Sequence, residues 1–208
     1  MPEEINRVAT DHVSDLLFAP TETAVGNLAA EGISGDSVLR SGDVMLDATR
    51  WYEPRAREQT IRKDLGLEAQ GYVLATVHRA ESTDDPDRLK AIFGGLTASP
   101  IPVVLPLHPR TRAKVAPELL AGLIVTDSGG VQKEAFFQGM PCLTLRSETE
   151  WVELVELRWN RLADLTSAET VAKSLRSALE AGPGLPGTPY GTGDAGRQIV
   201  QALADRYA

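Results

Sequence analysis

The spacing of apolar positions changes several times along the chain, and each change marks an element. Ile5, Val8, His12, Leu16 and Leu17 recur at helical intervals, which predicts an amphipathic helix over residues 3–17, with 17–19 continuing as a short strand. Thr21 is placed to cap a second helix that carries Val25, Leu28 and Ala29 and stops near Gly32. Residues 37–40 read as a short strand, and 44–63 as a helix that Pro54 breaks or kinks. The unbroken apolar run 72–77 then reads as a strand buried on both faces. Pro86 suits the first turn of a helix whose inner face is Leu89, Ile92, Phe93 and Leu96. Residues 102–107 give the next strand and 111–120 the next helix. The buried-strand pattern returns at 123–126, a helix follows over 131–137, and Gly139 with Pro141 stop it before a further strand at 142–145. Helices are expected near 151–157 and over 168–181, then a Pro/Gly-rich linker (182–193) and a last helix over 195–207.

Strands alternating with helices define βαβ units, so the fold class is α/β: a Rossmann-like, doubly wound parallel sheet. Ligands of such sheets gather outside the carboxyl ends of the strands. Three strands here end in polar residues: His78-Arg79, His108-Pro109-Arg110 and Asp127-Ser128-Gly129-Gly130. At the third, Asp127 and Ser128 offer helix-capping chemistry, and the glycines let the backbone turn and come close to a ligand. Unpaired N–H groups at such a helix start favour an anion, most often a phosphate; the plainer alternative is a tight strand-to-helix connection.

Composition narrows the classes. At 208 residues the chain can bury a substantial core in one domain, or one and a half. A net charge of −8 argues against nucleic acid as a partner. The single cysteine, Cys142, sits in an apolar run and leaves no disulfide framework or Cys-rich metal site. The start, Met1-Pro2-Glu3-Glu4, is acidic where a signal peptide is basic and then apolar, and no apolar run reaches a membrane span of about 20 residues. A cytoplasmic protein without a membrane partner is the expectation.

Longer wording is more specific. Met1-Pro-Glu-Glu-Ile-Asn-Arg7, Leu17-Phe-Ala-Pro-Thr-Glu22, Thr76-Val-His-Arg-Ala-Glu-Ser82, Leu107-His-Pro-Arg-Thr-Arg112, Thr126-Asp-Ser-Gly-Gly-Val-Gln-Lys-Glu134, Arg146-Ser-Glu-Thr-Glu150 and Pro189-Tyr-Gly191 occur in this order. In these segments the chain resembles the non-hydrolysing UDP-N-acetylglucosamine 2-epimerases. The resemblance implies a GT-B-like architecture of two Rossmann-like domains, of which this chain is the C-terminal half. It further implies interconversion of UDP-GlcNAc and UDP-ManNAc by elimination and re-addition of UDP, without metal or cofactor.

Carried over by position, Ser128, Gly129 and Gly130 would hold the diphosphate and Glu134, on the first turn of the helix, the ribose hydroxyls. His78 and Glu3 would be catalytic, with Arg79 and His108 lining the pocket. The bland alternatives are polar strand terminators for the histidines and dipole-complementing acids for Glu3 and Glu134. His12 reads as structural.

Several departures bear on activity. An N-terminal Rossmann domain and one βα unit between Ala121 and Gly122, in the middle of the C-terminal sheet, have no counterpart. A basic position of some members is absent near Trp151, and Thr192 stands where an acid usually follows Pro-Tyr-Gly. The expected division is a partial remnant of the N-terminal domain and connection (1–66), a shortened UDP-binding domain (67–182), and a linker with the final helix (183–208). The first 70 or so residues would lack packing partners, which a homodimer would supply. The competing readings are a B-type glycosyltransferase and a non-catalytic UDP-binding module.

Overall fold

The computed structural model describes residues 2–68, 71–106 and 125–207. These divide into two compact units, Met1–Arg57 with Gly187–Ala208, and Glu58–Pro186.

In the first unit, α1 (Pro2–Val13) ends four residues earlier than its apolar spacing suggests, because β1 (Leu17–Ala19) takes over Leu17 for the core. Thr21 caps α2 (Glu22–Ala30) as expected, accepting from the Ala24 amide at 3.1 Å. β2 (Val38–Arg40) pairs parallel with β1, Leu17 opposite Val38. Leu17, Ala19 and Leu28 form a small core with Ala24, Val25, Ile33 and Val38 against it. α3 (Val44–Arg57) tolerates Pro54 inside its length although proline cannot donate to the carbonyl four residues back; the break expected there comes after Arg57 instead. α10 (Ala195–Tyr207) belongs to this unit. The Pro189-Tyr-Gly191 turn holds it there: Tyr190 is buried and its carbonyl accepts from the Asp43 amide at 3.0 Å. Large apolar side chains remain exposed on this unit, among them Ile5 (72%), Val13 (82%) and Trp51 (69%).

The second unit is α/β with parallel strands. It runs α4 (Ile61–Asp64), β3 (Val73–Leu74), α5 (Ala80–Thr83), α6 (Pro86–Thr97), β4 (Val103–Val104), α7 (Gly129–Phe137), β5 (Cys142–Thr144), α8 (Val152–Glu156), β6 (Asn160–Leu162) and α9 (Ala168–Ala181). β3 pairs with β4 and β5 with β6. Thr126 bridges in parallel to Thr76 on one side and Thr144 on the other, giving the order β4–β3–Thr126–β5–β6.

That order corrects one expectation. Among the described residues the sheet interior is continuous through Thr76, Thr126 and Thr144, so no gap is seen in its middle there.

The core gathers Ala75, Val77 and Val125 from the strands with Ile92, Phe93 and Leu96 of α6 and Leu175 of α9. Burying a side chain such as Ile92 or Phe93 contributes about 1.5–3 kcal/mol. α6 and α9 approach so closely that a Cβ on Gly95 would lie 2.4 Å from the Val171 side chain. α9 starts on a reciprocal cap, with Ser167 accepting from the Thr170 amide at 3.2 Å. Two elements escape the sequence reading. α5 was hidden in the polar cluster after residue 77, and β6 in the polar pair Asn160-Arg161, whose first member is nonetheless buried (2%).

Candidate functional site

In the order β4–β3–Thr126–β5–β6, chain progress reverses direction between β3 and the Thr126 strand. Such a switch point opens a crevice at the carboxyl ends of the two strands. Here those ends carry His78-Arg79 and Asp127-Ser128-Gly129. The strands are tied by Thr76 Oγ1 and Thr126 Oγ1, 2.6 Å apart, and by the Asp127 amide donating to the Thr76 carbonyl at 3.2 Å.

The helix start differs from the capped form expected of it. Asp127 is wholly buried, but its carboxylate turns across the switch point, accepting from the His78 amide (2.9 Å) and the Arg79 amide (2.8 Å). Ser128 makes no side-chain cap bond; its amide donates to Thr126 Oγ1 at 2.9 Å. Among the described residues the amides of Gly129, Gly130 and Val131 therefore have no protein acceptor. The helix also begins at Gly129 rather than Val131, so Glu134 lies on the second turn, not the first, and is exposed.

The other predicted residues are placed as follows. The His78 side chain is 38% exposed, with Nε2 3.8 Å from Asp127 Oδ1. Arg79 caps α5 through its carbonyl, which accepts from the Ser82 and Thr83 amides. His78, Arg79, Ser128 and Gly129 thus share one sheet edge. Glu3 lies in the first turn of α1, in the other unit, and its side chain lies outside the described residues, as does His108 altogether. His12 bonds through Nδ1 to its own helix at the Val8 carbonyl, 2.9 Å.

A supporting set missed by sequence reasoning surrounds the helix start. The buried Gln132 side chain donates to the Ser128 carbonyl (3.3 Å) and accepts from Thr149 Oγ1 and Asn160 Nδ2, both at 2.7 Å. Trp151 Nε1 donates to the Gly129 carbonyl at 2.9 Å, and Lys133 Nζ stands 4.3 Å over the Trp151 ring. The buried Arg146 pairs with Glu150 at 2.6 Å. A Cβ on Gly129 would meet Glu150 Oε1 at 2.6 Å, so this glycine is required by the neighbouring loop as well as by any ligand. The available signal was Arg146 and Glu150 within one matching segment. Cys142 is buried, and burial pushes its thiol up to about 12, which makes it inert. Among the described residues no cluster of acids, histidines and cysteine could hold a metal, and no helix is long and apolar enough to cross a membrane.

A parallel sheet with a switch-point crevice, open helix amides and an imidazole at its edge defines a Rossmann-like domain of the kind that binds nucleotides. The family profile described as UDP-N-acetylglucosamine 2-epimerase matches residues 1–121 and 118–204. The chain belongs to the UDP-N-acetylglucosamine 2-epimerase family.

It is 43% identical to the UDP-2,3-diacetamido-2,3-dideoxy-D-glucuronate 2-epimerase of Pseudomonas aeruginosa, covering 98% of this chain and 64% of that protein. It is similar to the crystal structure of Methanocaldococcus jannaschii UDP-GlcNAc 2-epimerase in complex with UDP-GlcNAc and UDP (TM-score 0.83, 34% identity, 99% of this chain, 65% of that one). The Neisseria meningitidis UDP-GlcNAc 2-epimerase bound to UDP-GlcNAc superposes with TM-score 0.80 at 28% identity, over 98% of this chain and 65% of that one. The chain thus spans slightly under two thirds of the length of these relatives. The profile's two stretches meet at 118–121, and the Pseudomonas comparison runs over 231 positions against 208 residues, so relatives carry internal positions without a counterpart here.

Proposed function

We infer that this chain carries the UDP-binding half of a 2-epimerase site. Its reaction is the interconversion of UDP-GlcNAc and UDP-ManNAc. A proton leaves C2 as the C1–O bond breaks and UDP departs; UDP then re-forms its bond to C1 while a proton returns to the opposite face of C2. The observation that carries this reading is the set of open amides at Gly129, Gly130 and Val131 beside His78. Departing UDP needs its growing negative charge held by fixed donors, and unpaired helix-start amides are such donors. Ser128, Gly129 and Gly130 take the diphosphate, Glu134 the ribose hydroxyls, His78 the proton traffic, with Arg79 and His108 lining the pocket and Glu3 a second acid. A homodimer would cover the apolar side chains exposed on the first unit.

The test is calorimetric and chemical. UDP titrated into the parent chain releases or absorbs heat that Ser128→Leu abolishes, and NMR of a UDP-GlcNAc incubation shows UDP-ManNAc or the 2-acetamidoglucal, lost in His78→Ala. Absence of UDP binding, or product formation that survives His78→Ala, overturns the reading.

A second substrate is favoured by a specific observation. Identity to the diacetamido-glucuronate epimerase is 43%, against 34% for the Methanocaldococcus UDP-GlcNAc enzyme. Offering both sugar nucleotides in the same NMR assay separates the two.

A further inference from the structure

Asp127 is 0% exposed and directly follows the Thr126 bridge position, two residues before α7. A carboxylate buried this deeply must be matched by donors or it costs several kcal/mol, and here the donors are backbone amides of another strand end. The His78 amide reaches Oδ2 at 2.9 Å and Oδ1 at 3.2 Å, and the Arg79 amide reaches Oδ2 at 2.8 Å. The same Oδ1 lies 3.8 Å from His78 Nε2. One side chain therefore holds the backbone that carries the histidine and lies beside its ring. Its own chain neighbour, Ser128, opens the helix start.

We propose that Asp127 is the positioning residue of this site, setting the height and rotation of the His78 imidazole relative to the open amides of α7. This rests on the assignment of His78 and the helix start to the epimerase site. Two features favour positioning over a plain staple between strands. The staple is already supplied next door by the Thr76–Thr126 hydroxyl pair at 2.6 Å and the Thr76 and Asp127 amides of the ladder. And charge-assisted bonds to two consecutive amides define the plane of the following peptide far more tightly than one neutral bond.

The test uses the full chain, with Asp127→Asn, which keeps the shape, and Thr76→Val, which removes the hydroxyl pair but leaves His78 untouched. An asparagine cannot accept from both amides without aiming its NH2 at one of them. In ligand-free protein the His78 Hε1 and Hδ2 resonances shift and broaden in Asp127→Asn and stay in place in Thr76→Val. UDP affinity in Asp127→Asn stays within about threefold of the parent, because the α7 amides are untouched, while the UDP-induced shift of His78 Hε1 is lost. A ring signal unchanged in Asp127→Asn, or changed equally in both variants, overturns the proposal. Should Asp127→Asn not fold, the parent decides. NOEs that place the ring in one rotamer beside Asp127 support the proposal, and averaging over rotamers overturns it. Failure of the parent to bind UDP would sink the epimerase assignment but leave the ligand-free ring measurement to judge Asp127.

Discussion

Helices α7 and α10 begin with nearly the same materials and end up in opposite states. The first is preceded by Asp127-Ser128 and opens with Gly129-Gly130; the second is preceded by Asp194 and opens with Ala195-Gly196. At α10 the protein closes the start itself. Asp47 reaches over from α3, and its two carboxylate oxygens accept from the Ala195 amide (3.2 Å) and the Gly196 amide (2.7 Å). At α7 the corresponding carboxylate, Asp127, is spent on another strand end, and among the described residues no side chain caps the start in its place. Orphan amides at a helix start must find an acceptor somewhere. Where the fold supplies one, the helix start is architecture; where it diverts the nearest one, the donors stay open.

The most forceful way to break the comparison is to close α7 by design. Ser128 already has the extended backbone of a cap (φ −80°, ψ 129°), so Ser128→Asp places a carboxylate over the open amides. UDP affinity should fall roughly tenfold to a hundredfold, as charge-assisted bonds are pre-empted, while stability rises by about 1 kcal/mol. Titration calorimetry and thermal melting read the two together. Unchanged UDP binding would show that the open start is not the diphosphate site.

The converse change opens α10. Asp47→Ala removes both oxygens from Ala195 and Gly196, and the loss of a capping carboxylate costs about 0.5–2 kcal/mol. The melting midpoint should drop and amide exchange at 195–198 accelerate, with UDP binding unaffected. Equal acceleration at 129–131 would mean that the two starts are not independently supported.

How much of this was legible beforehand follows from where the information resides. α9 and α10 match their predicted spans because 3.6-residue periodicity defines both, joined at α9 by the local Ser167–Thr170 cap. The parallel order was implied by the alternation of elements, and the polar strand ends pointed to the correct edge. What the sequence did not reveal depended on partners distant along the chain. Asp127 reads as a cap only until the His78 and Arg79 amides, 49 and 48 positions away, are brought to it. β6 lacks β-formers because Asn160 is buried for the Gln132 amide rather than for apolar packing. Glu134 moved by a turn because glycines, poor helix formers in isolation, are helical where the flanking loop holds the Gly129 carbonyl. Pro54 did not end its helix, which runs on through it to Arg57.

The smallest effect concerns acid. Asp194, next to Ala195 at the start of α10, is held below the usual carboxylate value of 3.8, first by the Thr192 hydroxyl and then by the Gln198 side chain, with Arg197 adding less. A depressed folded value means that the charged form is favoured by folding. Its contribution is therefore complete above the unfolded value and disappears as pH falls through the lower, folded one. The group is solvent-exposed, so the effect is local rather than global. As pH falls below that usual value, amide protection at the first turn of α10 should decline, and the decline should be blunted in Thr192→Val, in which the hydroxyl that lowers the carboxyl is gone. Among the described residues no carboxylate is bonded to the first amides of α7, so its first-turn exchange, corrected for intrinsic rates, should stay level over the same interval. A matching decline at 129–131 would mean that Glu150, whose oxygen lies close to Gly129, already acts as a cap and that the contrast between the two helix starts is one of degree.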